Sequence, residues 1–185
     1  MTTRPGKRTT TQPIDAPQQL LGRVLDGRYR LEEVVNVGGM GIVFAAFQLS
    51  SSRRVAVKVL RPPLAGDLDL HTRFQQEIET LSHLNHPHIV TLHDCGQDAA
   101  GLHYLVMEYV GGETLGEMLH SCELSLPEIL DVFAQVSDAL VEAHARGIIH
   151  RDLKFENMML RRFDDGRPHV TILDFGVAKL LTRQD

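Results

Sequence analysis

The sequence has few cysteines, no long apolar run and no excess of positive charge, and each absence excludes a class of protein. Its two cysteines, Cys95 and Cys122, form no CxxC pair and do not indicate a disulfide framework, which fits a reducing compartment. No apolar run approaches the length of a membrane helix, and the N-terminus lacks the apolar core of a signal peptide. We therefore expect a cytoplasmic chain with no membrane contact within these residues.

The charge balance argues against nucleic-acid binding. There are 19 Lys and Arg residues against 24 Asp and Glu residues, a net charge of -5, so the broad basic field that nucleic acid requires is missing. With 185 residues, 43% apolar and 23% charged, the composition is that of an ordinary globular protein that can bury a core. Disorder throughout the chain is thereby excluded.

The N-terminal half begins with a tail and continues as short strands. The Thr-, Pro- and Gln-rich start shows no periodicity and predicts a disordered tail, which we assign to residues 1–27. Short β-type runs separated by Gly and Ser turns then predict an antiparallel meander, with strands at Tyr29–Val35, Ile42–Leu49 and Arg54–Leu60. The hairpin Asn36–Val43 is rich in glycine, so its backbone N–H groups can approach phosphate oxygens, although such a hairpin alone is more often a simple turn.

Helical patterns follow the meander. Apolar residues on one face predict a helix at Leu70–Leu84, and a later strand is expected at Leu102–Val110. A short helix is expected near Thr114–His120, and the capping box that begins at Ser125 opens a longer helix to Arg146. The apolar stripe of this longer helix is expected to consist of Ile129, Phe133, Val136 and Leu140. These elements together predict the α+β class.

The histidine-rich segment from His83 to His93 raises the hypothesis of a metal site, because imidazoles are common zinc ligands. However, Pro87 breaks the helix there, and the spacing of the histidines follows no familiar ligand scheme. We therefore assign no metal to this segment.

The stretch Ile148–Gly176 carries groups suited to phosphoryl transfer. Asp152 can accept a proton and Lys154 can hold a phosphate, while the oxygens of Asn157 and Asp174 suit Mg²⁺. Taken one at a time, these motifs are also typical of a polar loop and of a turn after a strand.

The order of the motifs resembles that of a known family. His150-Arg151-Asp152-Leu153-Lys154-x-x-Asn157 followed by Asp174-Phe175-Gly176 resembles the catalytic loop and metal-binding turn of eukaryotic-like protein kinases, especially the bacterial serine/threonine type. Val55-Ala56-Val57-Lys58 follows the glycine-rich hairpin at the interval that this family expects. The chain is thus identified as the N-terminal part of such a kinase domain.

The resemblance implies a protein-kinase-like fold with two lobes. Residues 28–110 would form an N-terminal lobe with an antiparallel β-sheet and one helix, ending in a hinge. Residues 111–185 would form an incomplete, mainly helical C-terminal lobe.

The resemblance also implies a role for each matched residue. Asp152 would orient the acceptor hydroxyl and receive its proton, and Lys154 would contact the γ-phosphate, as in serine/threonine kinases. Lys58 would bind the α- and β-phosphates and form an ion pair with Glu77, while Asn157 and Asp174 would hold the metal.

His150 and Leu81 match internal packing positions. The implied nucleotide-binding residues are Asn36, Val37, Gly38, Gly39, Met40, Gly41, Val43, Ala56, Lys58, Met107, Glu108, Val110 and Met159. The implied cofactors are ATP and Mg²⁺, and the implied partner is a protein substrate with a Ser or Thr acceptor.

The chain departs from the family pattern in three places. Asn36 occupies the first glycine position, and because asparagine tolerates left-handed backbone we expect weakened nucleotide binding rather than its loss. Phe155 stands where proline is usual, which removes no reacting group. The chain ends at Asp185, shortly after Gly176, so we expect an exposed apolar face on the Ser125–Arg146 helix and low solubility.

The first functional hypothesis is an ATP-dependent serine/threonine protein kinase. The alternative is a catalytically inactive kinase fragment that binds a nucleotide or a partner, which Asn36, Phe155 and the early end of the chain favour. A small-molecule kinase of similar fold fits less well, because Lys154 and the spacing of the catalytic loop resemble protein-directed enzymes.

Overall fold

The computed structural model describes residues 17–39, 41–60, 78–79, 81–121 and 123–175. The predictions for Met40, Glu77 and Gly176, for residues 1–16 of the tail and for most of the Leu70–Leu84 helix lie outside these ranges. Within the described ranges, no helix is both long enough and apolar enough to span a membrane.

The N-terminal half is a six-stranded antiparallel sheet with the order β1-β2-β3-β4-β6-β5. Its strands are β1 Val24–Leu25, β2 Tyr29–Gly38, β3 Gly41–Gln48, β4 Arg53–Leu60, β5 Leu92–Gln97 and β6 His103–Glu108. The predicted meander and the later strand are confirmed with shifted ends. Because β2 continues to Gly38 and β3 begins at Gly41, the glycine-rich hairpin is a direct extension of these two strands.

Alternation along the strands gives the sheet two different faces. Ile42 and Phe44 of β3, with Val57 and Val59 of β4, are fully buried in an inner core. The residues between them point the opposite way, so Val43 and Lys58, which pair across β3 and β4, share the other face. A functional side chain on that face is therefore held by a rigid apolar sheet.

The sheet curls so that strands from opposite sides of it meet. The Nη1 of Arg28, which immediately precedes β2, lies 2.5 Å from the Asp94 Oδ2 of β5, and the Tyr29 hydroxyl donates a hydrogen bond of 2.6 Å to the same oxygen. Burial, helped by the hydrogen bond to Asp94, raises the pKa of Tyr29 to about 12, so the phenol remains a donor at neutral pH. These contacts fix the curvature of the sheet.

The prediction that residues 17–27 belong to a disordered tail is wrong. They contain a 3-10 helix at Pro17–Leu20 and strand β1, which pairs with β2. Leu20 and Leu25 are buried in the inner core, and this burial of apolar surface offsets the entropy of ordering the segment.

The C-terminal half combines two helices with a small sheet. The helices are α1 Leu115–His120 and α2 Leu126–Ala145, and the three antiparallel strands are β7 Glu113–Thr114, β8 Met158–Arg162 and β9 Pro168–Ile172. Both helices were predicted to within one residue at each end. Each begins with a capping box, Thr114 with Glu117 and Ser125 with Glu128, and the second of these is the one that the sequence analysis used.

The buried face of α2 differs from the predicted stripe. Its buried residues are Val132, Val136, Ala139 and Ala143, whereas Phe133 is 45% exposed. Because α2 packs on β9, small and β-branched side chains suit the close contact better than the Phe133 ring. The expected exposed apolar surface is present on this helix and consists of Leu126, Leu130, Phe133 and Val141.

A short segment connects the two halves through backbone hydrogen bonds. The Ile172 N–H of β9 donates to the His88 carbonyl at 2.9 Å, and the Val90 N–H donates to the Ile172 carbonyl at 2.9 Å. One residue further on, the Thr91 carbonyl accepts from the Glu108 N–H at the end of β6, also at 2.9 Å. The end of β9 is therefore held directly below the larger sheet.

Gly41 lies where a side chain would not fit. A Cβ atom there would lie 2.3 Å from the Val59 carbonyl oxygen, whereas a Cβ atom at Gly39 would meet nothing within 4 Å. We expect Gly41→Ala to force β3 and β4 apart and to lower the free energy of unfolding by about 1–3 kcal/mol. The matched variant Gly39→Ala should change it by less than about 0.5 kcal/mol. Urea unfolding followed by circular dichroism measures both, and equal unfolding midpoints for the two variants would contradict the packing described.

Three histidine rings and a phenylalanine ring form a row that includes His169 of β9. Ring centroids are 5.6 Å apart for His86 and His88, 4.6 Å for His88 and His169, and 4.8 Å for His169 and Phe163. The buried His169 donates its Nε2–H to the Pro87 carbonyl at 3.2 Å. Burial, together with the nearby charges of His88 and Arg161, lowers the pKa of His169.

A lowered pKa in the folded state means that the unfolded chain binds more protons below the ordinary histidine pKa of about 6.5. The stabilisation from neutral His169 is therefore complete above that pH and is lost as the pH falls through and below it. We expect the melting temperature to fall between about pH 7.5 and pH 5, and to fall less in His169→Gln, which retains a donor for Pro87. Differential scanning calorimetry over this range tests the difference, and parallel curves for the two proteins would rule out the contribution of His169.

Candidate active site

A cleft of about 410 Å³ lies between the two halves of the molecule. One wall comes from β2, β3 and β4, the back from the segment after β6, and the other wall from the region around β8. The predicted site residues that line it are Asn36, Val43, Ala56, Met107, Glu108, Val110, Asn157, Met159 and Asp174. The structure thus brings nine positions from separate parts of the sequence to one cavity.

Lys58 and Asp174 form an ion pair next to this cleft. The Lys58 Nζ lies 2.7 Å from the Asp174 Oδ2, and the two side chains are 10% and 33% exposed. Lys58 reaches this position from the cleft-side face of β4, where it pairs with Val43 on one side and Leu105 on the other. Because an unpaired buried ammonium group is costly, this contact supplies the partner that the apolar strand requires.

The backbone around Asp174 is held by hydrogen bonds from residues 150–157, the predicted catalytic loop. The Leu173 N–H donates to the Asn157 carbonyl at 2.7 Å, and the Leu173 carbonyl accepts from the His150 Nε2–H at 2.8 Å. Asp174 itself has a φ of 54°, in the left-handed region that few residues other than glycine adopt. Local strain of this kind persists only where the surroundings fix the backbone, and it is frequent at functional sites.

His150 is a buried neutral histidine that organises the catalytic loop. Its Nδ1 accepts a hydrogen bond from the Asp152 N–H at 3.3 Å while its Nε2–H donates to Leu173, which defines the tautomer. Burial lowers the pKa of His150, against the opposite effect of this hydrogen bond and of the neighbouring carboxylates. The centroid of its ring lies 4.7 Å from that of Phe175, so His150 occupies an internal packing position. Leu81 packs against two apolar clusters, one built from α2, β8 and β9 and one that contains Leu105 and Met107.

Asp152, Lys154 and Asn157 lie together at one end of the catalytic loop. The Lys154 Nζ is 3.5 Å from the Asp152 Oδ2, and the Asn157 Nδ2 donates to the Asp152 carbonyl at 2.9 Å. Lys154 has an extended backbone, and its ammonium group lies beside the Asp152 carboxylate. With side chains 36% and 52% exposed, Asp152 and Lys154 are accessible to a large substrate.

The oxygens of Asn157 and Asp174 fit a magnesium ion. Since the Asn157 Nδ2 faces Asp152, its Oδ1 is the atom that can bind a cation, and the Asp174 Oδ1 remains beside the oxygen that contacts Lys58. In the described parts of the chain, no three His, Cys, Asp or Glu side chains come together in a metal-binding group. Two protein ligands are what Mg²⁺ takes when phosphate oxygens and water fill its other positions.

The other predicted positions lie around the cleft rather than in its wall. In the glycine-rich hairpin, Val37 and Gly38 end β2, Gly39 lies in the turn and Gly41 begins β3. Met40 and Glu77 lie outside the described residues, so the expected Lys58–Glu77 ion pair is not described. The described partner of Lys58 is Asp174.

Several cleft residues were missed by sequence reasoning. They are Val35, Tyr109, Gly111, Gly112, Thr114, Glu117, Glu156 and Leu173. Most of them are immediate neighbours of predicted residues in the sequence. Tyr109, Glu156 and Leu173 could have been found only because they are next to predicted site residues. Thr114 and Glu117 were recognisable only as a helix cap, and nothing in the sequence places that cap against a cleft.

Comparison with known proteins gives consistent results. A model of the protein kinase domain family matches residues 29–185. The chain is 41% identical over 169 residues to the serine/threonine-protein kinase pkn3 of Myxococcus xanthus, covering 90% of this chain and 31% of that protein. It is 42% identical over 164 residues to the serine/threonine-protein kinase PknA of Mycobacterium tuberculosis, covering 86% of this chain and 37% of that protein.

A solved structure shows the same fold. The crystal structure of the Mycobacterium tuberculosis PknI kinase domain matches with a TM-score of 0.69 at 31% sequence identity, covering 84% of this chain and 62% of that one. The chain spans about a third of the length of the two curated relatives. The family model, the relatives and the cleft agree, and the chain belongs to the protein kinase domain family.

Proposed function

We propose that the cleft binds ATP with Mg²⁺ and that the γ-phosphate is transferred to a Ser or Thr hydroxyl of a protein substrate. The observation that carries this proposal is the Lys58–Asp174 contact of 2.7 Å, which joins the larger sheet to the end of β9 beside the cleft. Phosphoryl transfer asks a protein mainly to position the reactants and to neutralise charge. The Lys58 ammonium and the Asp174 carboxylate, a candidate metal ligand, lie at one point and can together position the phosphates and neutralise their charge.

The apolar end of the cleft suits the nucleotide base. Val43, Ala56, Met107 and Met159 line it from both walls. The Glu108 N–H is already bonded to the Thr91 carbonyl. The backbone groups that we propose for the edge of the base are therefore the Glu108 carbonyl and the Val110 N–H.

The polar end of the cleft suits the phosphates. The backbone of the glycine-rich hairpin and the Lys58 ammonium would hold the phosphate oxygens, and Asn157 and Asp174 would hold Mg²⁺. When bound, the metal neutralises the charge on the β- and γ-phosphates. Glu77, which lies outside the described residues, stays a proposal as a second partner of Lys58.

The catalytic loop suits the acceptor hydroxyl. We propose that Asp152 orients this hydroxyl and receives its proton, and that Lys154, 3.5 Å from Asp152, contacts the γ-phosphate. Because both side chains are exposed, a Ser or Thr on a protein surface can reach them. The similarity to bacterial proteins named serine/threonine-protein kinases supports the choice of acceptor.

Replacing Asp152 separates transfer from binding. Asp152 is proposed to contact the acceptor hydroxyl rather than the nucleotide, and asparagine keeps the size of its side chain, so Asp152→Asn should bind nucleotide like the unmodified chain. Loss of the proton acceptor should lower the rate of phosphate transfer by about 10²- to 10⁴-fold. Transfer is measured with γ-labelled ATP, Mg²⁺ and casein as acceptor, and binding is measured by isothermal titration calorimetry.

Asp164→Asn is the matched control, because Asp164 is exposed on the turn between β8 and β9 and should change neither transfer nor binding. Full transfer by Asp152→Asn would contradict the role of Asp152. Nucleotide binding by the unmodified chain without any transfer would instead support a nucleotide-binding kinase fragment. Absence of both would reject the proposed use of the cleft.

A further inference from the structure

Strand β2 contains a bulge at the edge of the cleft. Val34 pairs with Phe44, but Asn36 pairs with Val43, so Val35 has no cross-strand partner of its own. Val34 packs against the inner core, and in a regular strand Asn36 would point to the same side. The extra residue reverses this direction, and both Val35 and Asn36 line the cleft.

The pairing places Asn36 over the middle of the cleft. It lies in one cross-strand row with Val43 and Lys58, on the face of the sheet that borders the cleft. Along β2, it lies between Val35 and the glycine-rich hairpin that follows at Gly38. If a nucleotide binds with its base at the apolar end and its phosphates near Lys58, its sugar lies beside Asn36.

Two other polar residues that line the cleft, Thr114 and Glu117, are already hydrogen-bonded to each other. The Glu117 Oε2 accepts from the Thr114 N–H at 2.7 Å and from the Thr114 hydroxyl at 2.8 Å. The Thr114 Oγ1 in turn accepts from the Glu117 N–H at 3.2 Å. These hydrogen bonds also lower the pKa of Glu117, so the capping carboxylate is held in its charged, bonded form.

Asn36 differs from these groups. Its side chain is exposed, and among the described residues it forms no side-chain hydrogen bond. A carboxamide offers both a donor and an acceptor, which match the two neighbouring hydroxyls of a ribose. Glycine at this position would offer neither.

We propose that Asn36 is a specificity residue for the sugar of the nucleotide, whose carboxamide hydrogen-bonds a ribose hydroxyl and so favours ribonucleotides over deoxyribonucleotides. The proposal rests on the nucleotide binding proposed above. It replaces the expectation that Asn36 only weakens binding, because a side chain at this bulge gains a contact that glycine lacks.

The test compares ATP, 2′-deoxy-ATP and 3′-deoxy-ATP, each with Mg²⁺, by isothermal titration calorimetry. The unmodified chain should bind ATP about threefold to tenfold more tightly than at least one deoxy analogue, the effect of one hydrogen bond. Asn36→Ala and Asn36→Gly should lose this preference by weakening ATP binding while leaving the affinity for that deoxy analogue unchanged. Gln97→Ala is the matched control, since Gln97 carries the same carboxamide group, is exposed in β5 and does not line the cleft.

The outcomes separate this inference from the proposed function. If the unmodified chain binds no adenine nucleotide, the proposed function itself fails. If it binds ATP but Asn36→Ala and Asn36→Gly keep the same preference between the sugars, or bind ATP more tightly, the role of Asn36 is wrong and nucleotide binding stands. Thermal unfolding of each variant checks that the measured affinities refer to folded protein. Asn36→Ser is measured as well, as a second polar replacement.

Discussion

The ion pair between Lys58 and Asp174 is the interaction on which the rest of the site depends. Lys58 is fixed by an apolar strand in the larger sheet, and Asp174 follows the last strand of the smaller sheet. Their contact of 2.7 Å brings these two elements to one point and defines the polar end of the cleft. Without this contact, the buried ammonium would have no described partner, and the candidate metal ligand would have no fixed direction.

The surrounding backbone makes this contact possible. Ile172 donates a backbone hydrogen bond to His88 and accepts one from Val90, which attaches the end of β9 to the segment below the larger sheet. Leu173 donates to the Asn157 carbonyl and accepts from His150, which attaches the same end to the catalytic loop. Ile172 and Leu173, the two residues before Asp174, therefore connect Asp174 both to the segment below the larger sheet and to the loop that contains His150 and Asn157.

Much of this arrangement could be predicted from sequence, because it follows local rules. Strands with regular alternation and helices with capping boxes at Thr114 and Ser125 were found within a few residues, and the order of the motifs indicated the family. The bulge at Val35, the short polar strand β5 and the buried face of α2 were not predictable. The buried face of α2 depends on β9, which is distant in sequence, and the other two features depend on the exact pairing with β3 and β6, which residue patterns do not specify. Only the resemblance assigned Lys58 and Asp174 to the same nucleotide site.

The most direct test of the account is a crystal structure of the chain with Mg²⁺ and a non-hydrolysable ATP analogue. We expect the metal at about 2.0–2.1 Å from an oxygen of Asp174 and from the Asn157 Oδ1, with Lys58 in contact with the α- or β-phosphate. A nucleotide bound outside the cleft, or a metal ion that contacts neither Asn157 nor Asp174, would contradict the central role given to the Lys58–Asp174 pair.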